Sequence, residues 1–192
     1  GNTAAMIAAQ EGLNDVLKII AQYHPSTLNQ IGRLNDPEGS WAPAHLAVCR
    51  GYIDCLRTIL EAIPTALFTE LSDWWTLVHV AANAGEVACL RLIIEQDADT
   101  LYFLTNQHKT PAYLATRYGY VECLQMIADA APGSLRCIST SGKTAAMVAV
   151  LRDFPECLSI IGRAAPEVLV PLYGQPGQTV AHVAVRYGRQ AC

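Results

Sequence analysis

Along the chain, a run of small and apolar residues repeatedly closes on one marker position, and an amphipathic stretch follows it. The marker is Gly12, Gly51, Gly85, Gly119, Asp153 and Gly188, at intervals of 39, 34, 34, 34 and 35 residues. Four positions before it stands alanine every time: Ala8, Ala47, Ala81, Ala115, Ala149 and Ala184. Nine before it stand Thr3, Ala42, Thr76, Thr110, Thr144 and Thr179. Six before it come Met6, His45, His79, Tyr113, Met147 and His182. Past the marker, apolar residues recur at helical spacing: Val16, Leu17 and Ile20; Cys55, Leu56 and Ile59; Cys89, Leu90 and Ile93; Cys123, Leu124 and Ile127; Cys157, Leu158 and Ile161. This is the stripe of a buried helix face. Each copy therefore predicts two short helices, the first ending at the marker, where glycine accepts a left-handed conformation. The second ends before Pro25, Pro64, Pro132 or Pro166 in four of the copies. Six copies in register set the architecture: residues 1–39, 40–73, 74–107, 108–141, 142–176 and a shorter 177–192.

The segments Trp41-Ala42-Pro43-Ala44-His45-Leu46-Ala47, Trp75-Thr76-Leu77-Val78-His79-Val80-Ala81-Ala82 and Lys109-Thr110-Pro111-Ala112-Tyr113-Leu114-Ala115 resemble the signature of the ankyrin repeat family. The match runs the length of the chain. It departs from the family pattern in its 34-residue spacing, in Ala or Val after the Pro slot, and in Asp153 at a Gly position. The resemblance implies an all-α fold: one solenoid domain over residues 1–192, with stacked helix pairs, finger loops and a concave binding groove. Each repeat would bury its face only against its neighbours. The chain starts at a first helix and stops four residues past Gly188, so a fragment of a longer protein is expected.

Composition narrows the class. With 52% hydrophobic residues the chain can bury enough surface to fold, and with 16% charged it has few charges for its surface. No apolar run reaches the ~18 residues of a membrane span, and Gly1–Gln10 has no signal-peptide pattern. A net charge of −4 disfavours bulk nucleic-acid binding. Seven cysteines, an odd number without a CxxC pair, fit a reducing, intracellular, cytoplasmic location. The alanine-rich copies with Asp54-Cys55-Leu56, Glu122-Cys123-Leu124 and Glu156-Cys157-Leu158 resemble ankyrin proteins that intracellular bacteria inject as effectors, which would place the protein in host cytoplasm.

Chemical motifs mostly dissolve into the repeat. Ser141-Gly142-Lys143-Thr144 ends like a phosphate-binding loop, but Cys137 stands where that motif opens on Gly. His45, His79 and His182 share a slot that Met and Tyr fill elsewhere, which suits packing and not a metal. In ankyrin repeats that slot orients the loops. Cys55, Cys89, Cys123 and Cys157 read as small buried hydrophobes. No Ser–His–Asp set, Cys–His pair or paired-carboxylate site is evident, so no catalysis, cofactor or metal is expected.

If repeated residues hold the scaffold, function falls where the copies differ. In the ankyrin family those slots are the residue before the Thr position and the two residues before the marker. Across 18 such slots lie six of the 13 Lys and Arg (Arg50, Lys109, Arg117, Lys143, Arg152 and Arg186) but only one of the 17 acids, Glu11. The acids Asp15, Asp54, Glu122 and Glu156 fall at the start of the second helix instead. Trp41 and Trp75 occupy equivalent finger slots, and Tyr118 and Tyr187 precede two markers. Trp, Tyr and Arg are the types that dominate binding hot spots. The candidate partner-binding set is therefore Trp41, Arg50, Trp75, Lys109, Arg117, Tyr118, Lys143, Arg152, Arg186 and Tyr187. Whether the Trp rings meet a partner or fold onto their own fingers is open. An insertion at Asn35–Ser40 lengthens the finger beside Trp41.

The expected function is protein–protein interaction by a monomer, as the targeting part of a larger protein. Its partner protein would offer an apolar anchor and acidic residues. One alternative is nucleotide or single-stranded RNA binding, with Trp stacking and Lys/Arg on phosphates. Another is the non-catalytic, substrate-recruiting part of a multidomain enzyme or bacterial effector.

Overall fold

Threonine at the first-helix start and a left-handed residue at its end are the local reasons the repeat takes its shape, and a computed structural model shows both. It describes residues 2–33, 40–170, 179–186 and 188. These form two compact units, residues 1–100 and 101–192.

In the first unit the helices are α1 (Ala4–Gln10), α2 (Asn14–Tyr23), α3 (Pro43–Cys49), α4 (Ile53–Ala62), α5 (Leu77–Ala84) and α6 (Val87–Gln96). A two-residue antiparallel ladder, β1 (Gly32–Arg33) with β2 (Ser40–Trp41), pairs Gly32 with Trp41 and forms the finger before α3. First helices pack on first helices (α1 on α3, α3 on α5) and second on second (α2 on α4, α4 on α6). The second unit repeats the scheme with α7 (Pro111–Tyr118), α8 (Val121–Ala130), α9 (Ala145–Arg152), α10 (Pro155–Ala164) and α11 (Val180–Arg186). There α7 packs on α9, α9 on α11 and α8 on α10.

The repeated residues explain these elements. Thr3, Thr110, Thr144 and Thr179 each accept a hydrogen bond from the backbone N–H three residues on, at 3.2–3.3 Å, which satisfies an orphan donor at the helix start. Ala8, Ala47, Ala81, Ala115 and Ala149 are 0–1% exposed, so neighbouring first helices approach without a side chain between them. Asp15, Asp54, Glu122 and Glu156 stand in the first turn of α2, α4, α8 and α10, where the helix dipole favours negative charge. The prolines do more than end the second helix. Pro25, Pro64, Pro132 and Pro166 each open a short 3-10 turn, and Leu28, Leu67 and Leu135 in three of those turns are buried.

Two parts of the sequence reading need correction. Val16 is 39% exposed and Ile20 half-exposed, whereas their equivalents Cys55 and Ile59 are buried. The helix α4 lies between α2 and α6, while α2 has a second-helix neighbour on one side only among the described residues. Leu158 is likewise half-exposed, although its slot predicts burial. The Asn35–Gly39 part of the finger insertion, and Gln178, lie outside the described residues.

The marker slot shows why glycine dominates it. Gly119 takes φ +74, and a Cβ there would lie 2.9 Å from Cζ of Phe154, the residue that follows the next marker. Asp153 holds the same left-handed conformation at φ +64, so the backbone shape alone is tolerable for a short polar residue. The crowding is the stronger constraint. Gly119→Ala is expected to destabilise by roughly 1–3 kcal/mol, because the ring must move in a packed interface. Urea denaturation of the two proteins measures it, and a loss within 0.5 kcal/mol would show that Phe154 yields freely.

Candidate functional site

The fingers are built by hydroxyl-bearing or apolar residues four positions before each tip residue. The Leu71 N–H donates to the Trp75 carbonyl at 2.7 Å, Thr105 to that of Lys109 at 3.1 Å, and Ser139 to that of Lys143 at 3.0 Å. Thr105 Oγ1 also accepts from the backbone N–H groups of Gln107 and Lys109, and Ser139 Oγ donates to the Lys143 carbonyl at 2.9 Å. In the second unit the two fingers are joined, the Thr140 N–H donating to the Gln107 carbonyl at 3.0 Å. That bond holds Lys109 and Lys143 on adjacent, braced loops.

Among the described residues, one hollow in each unit lies against the fingers. The first, of about 380 Å³, is lined by Trp41 and Trp75 together with Ser40, Cys49, Leu71, Ser72, Asp73, Val80, Asn83 and Ala84. Both Trp side chains are half-buried. The Trp75 ring leans on the His79 imidazole at 6.2 Å between centroids and 52° between planes. The Trp75 ring thus packs on its own copy, and both rings present surface to the hollow. The loop below it is unusual: Asp73 and Trp74 hold successive left-handed conformations, φ 62 and 60, and Trp74 is 57% exposed.

The second hollow, about 300 Å³, is basic. Lys109, Arg117, Lys143 and Arg152 line it with Gln107, Tyr113, Thr140, Ser141, Val148 and Leu151, and no carboxylate is among the described residues that do so. Lys109 Nζ donates to Gln107 Oε1 and sits 5.8 Å from the Tyr113 ring centroid, a cation–π distance. Partial burial and the neighbouring Arg117 both hold the Lys109 ammonium below its usual range. Positive charge is therefore crowded here.

Of the ten candidate residues, the structure brings Trp41 and Trp75 to one hollow and Lys109, Arg117, Lys143 and Arg152 to the other. It does not bring Arg50, Tyr118 or Arg186 to either lining. Arg50 caps α3 and is exposed. Tyr118 is 46% exposed, stacks on Tyr120 at 6.0 Å, and lies under the Arg117 guanidinium at 5.7 Å. Tyr187 lies outside the described residues. Sequence reasoning missed Leu71, Ser72 and Asp73 in the first hollow and Gln107, Tyr113, Thr140 and Ser141 in the second. Only the polar finger tips carried a usable signal, since polar side chains at a loop apex are not needed to hold the helices.

The histidine slot is structural. His79 Nδ1 accepts from the Thr76 backbone N–H at 3.3 Å and meets Thr76 Oγ1 at 2.9 Å, completing a reciprocal cap at the start of α5. His182 meets Thr179 Oγ1 at 2.7 Å. In copy two Ala42 replaces the threonine, and His45 is 0% exposed with neither ring nitrogen in a well-formed hydrogen bond. Burial drives its pKa down to about 3, with the Thr69 backbone opposing weakly. Cys55, Cys89, Cys123 and Cys157 are 0–1% exposed. Burial, with Glu86 adding, pushes the Cys89 thiol up to about 12, and burial with Glu156 pushes Cys157 up to about 11. Such thiols are poor nucleophiles. Among the described residues no group of three or more His, Cys, Asp or Glu could hold a metal ion, and no helix is long and apolar enough to cross a membrane.

Residues 62–137 match the family model for ankyrin repeats, in three copies. No curated protein matches the chain. Ankyrin repeats are a non-catalytic fold and generally serve as protein–protein interaction modules. The matched stretch has the helix pair, the finger and the left-handed closing residue that recur on both sides of it, from Thr3 to Gly188. Over residues 62–137 the chain carries ankyrin repeats.

Proposed function

We propose that the chain recognises a partner polypeptide through these two hollows, an apolar side chain anchoring beside Trp41 and Trp75 and acidic groups engaging Lys109, Arg117, Lys143 and Arg152. One observation carries the reading: residues from slots that differ between copies converge into lined hollows of distinct chemistry. The left-handed pair Asp73–Trp74 supports it too, since strained backbone that leaves an aromatic exposed is costly unless the display serves a purpose. Charge would speed encounter and fix register, while aromatic burial would slow dissociation. In this reading the protein acts in a reducing intracellular compartment, as the targeting part of a larger protein.

The test is cross-linked capture from a cell lysate, comparing the chain with a Trp41→Ser, Trp75→Ser, Lys109→Glu variant of matched thermal stability. Capture of a specific protein should fall at least tenfold in the variant. Equal capture would move the binding surface away from both hollows and leave the fold untouched.

A further inference from the structure

The basic hollow of the second unit holds four cations, with nothing of opposite sign among the described residues of its lining. Two come from joined finger tips, Lys109 and Lys143. The other two come from the last turn of adjacent first helices, Arg117 on α7 and Arg152 on α9. The described ion pairs, Lys18–Asp15 and Arg136–Glu167, use none of them. Four like charges around about 300 Å³ repel one another and cost stability, so the arrangement is at its best with a multiply charged anion between them.

The lining also says what kind of anion. Three features narrow it. Arginine forks and lysine points together suit a group with several acceptor oxygens at tetrahedral angles, whereas a carboxylate offers two oxygens and a single charge. The Ser141 hydroxyl adds a neutral donor at the same rim. The volume lies at the small end of ligand hollows, room for a headgroup and not for a folded element. A nucleic acid is less well served, because bases need an open aromatic face. The one aromatic ring among its described lining residues, Tyr113, is 8% exposed and has the Lys109 ammonium over it.

We propose that this hollow receives a phosphoryl group carried on a side chain of the partner polypeptide, so that recognition by the second unit depends on phosphorylation of the partner. The inference rests on the partner-binding reading above and adds the chemistry of its acidic element. A phosphorylated serine or threonine carries close to two negative charges at neutral pH and three strong acceptor oxygens. Arg117 and Arg152 grip it from the helix wall, and Lys109 and Lys143 close from the fingers.

The test is a titration of the isotopically labelled chain followed by NMR, using N-acetyl-phosphoserine methylamide, its glutamate counterpart, inorganic phosphate and an oligouridylate. The phosphoserine probe should shift the arginine Nε–H signals of Arg117 and Arg152 and the amides of Thr140 and Ser141 to saturation. Its Kd should be at least tenfold below that of the glutamate probe, and inorganic phosphate should perturb the same residues. A Lys109→Gln, Lys143→Gln variant should weaken the phosphoserine probe at least tenfold while the remaining amide spectrum stays native. Equal affinity for the glutamate probe would overturn the phosphoryl assignment and leave an acidic partner standing. Tighter binding of the oligouridylate, or full binding by the double variant, would also overturn it. The partner-binding reading fails separately, by equal capture in the lysate experiment.

Discussion

Lowering the pH from 7 to 5 is expected to cost the protein about 2 kcal/mol of stability through His45 alone. The imidazole is fully buried in α3, and burial lowers its pKa from 6.5 to about 3. An unfolded chain binds the proton readily below pH 6.5, while the folded one refuses it until about pH 3. Between those limits the unfolded state therefore holds more protons, and stability falls by up to ~1.4 kcal/mol for each unit of acidification. The contribution is fully present above the unfolded value and is lost progressively as pH falls toward the folded one. His79 and His182 each meet the threonine that copy two has replaced with Ala42. Urea denaturation at pH 7.5, 6 and 5 measures the effect against His45→Leu. Carboxylates contribute to both proteins equally, so the difference in slope isolates the imidazole. Parallel slopes would show that His45 takes its proton while folded, through local opening or a movement toward the Thr69 carbonyl.

Much of this molecule could be read from its sequence because every copy restates the same constraints. Thr110, Ala115 and Gly119 mean cap, close approach and left-handed stop, and the corresponding residues of other copies say so again. That redundancy places the helix pairs, and the ankyrin resemblance then picks out the slots that hold Lys109, Arg117, Lys143 and Arg152. It fails where burial depends on a neighbour and not on the residue itself. Val16 stands in the slot of Cys55, and nothing in its own spacing announces that α2 has a second-helix neighbour on one side only among the described residues. It fails again at the fingers of the second unit, which a contact between copies braces together. The bond from Thr140 to Gln107 joins residues 33 apart in sequence and draws both tips into the basic hollow. Tyr113 shows a third limit: it fills the packing slot of His79, yet its edge also lines that hollow. The left-handed turn at Asp73 and Trp74 has no glycine or asparagine to betray it.

The same neighbour dependence makes Ile59→Ala and Ile20→Ala a sharp pair. Both isoleucines hold the position eight past a marker, in α4 and α2 of the first unit, so the chemistry removed is identical. Ile59 is 0% exposed in a helix packed against α2, α3 and α6. Ile20 is half-exposed in a helix that meets α4 and its own partner α1. Truncating a fully buried isoleucine loses its transfer energy and leaves a cavity that close-packed surroundings fill only partly, a cost of about 2–5 kcal/mol. A loss of about 3–4 kcal/mol is expected at Ile59. At Ile20 part of the side chain already meets water in the folded state, and solvent can enter what is removed. The loss there should be no more than about half as large. In a linear array the penalty should also be local: hydrogen exchange in Ile59→Ala should quicken first in α2, α4 and α6, the second helices stacked beside the cavity. Equal losses at the two sites would mean that α2 is covered by something the described residues do not include, and the exposed Val16 and Ile19 beside it would then be the first places to look for that contact.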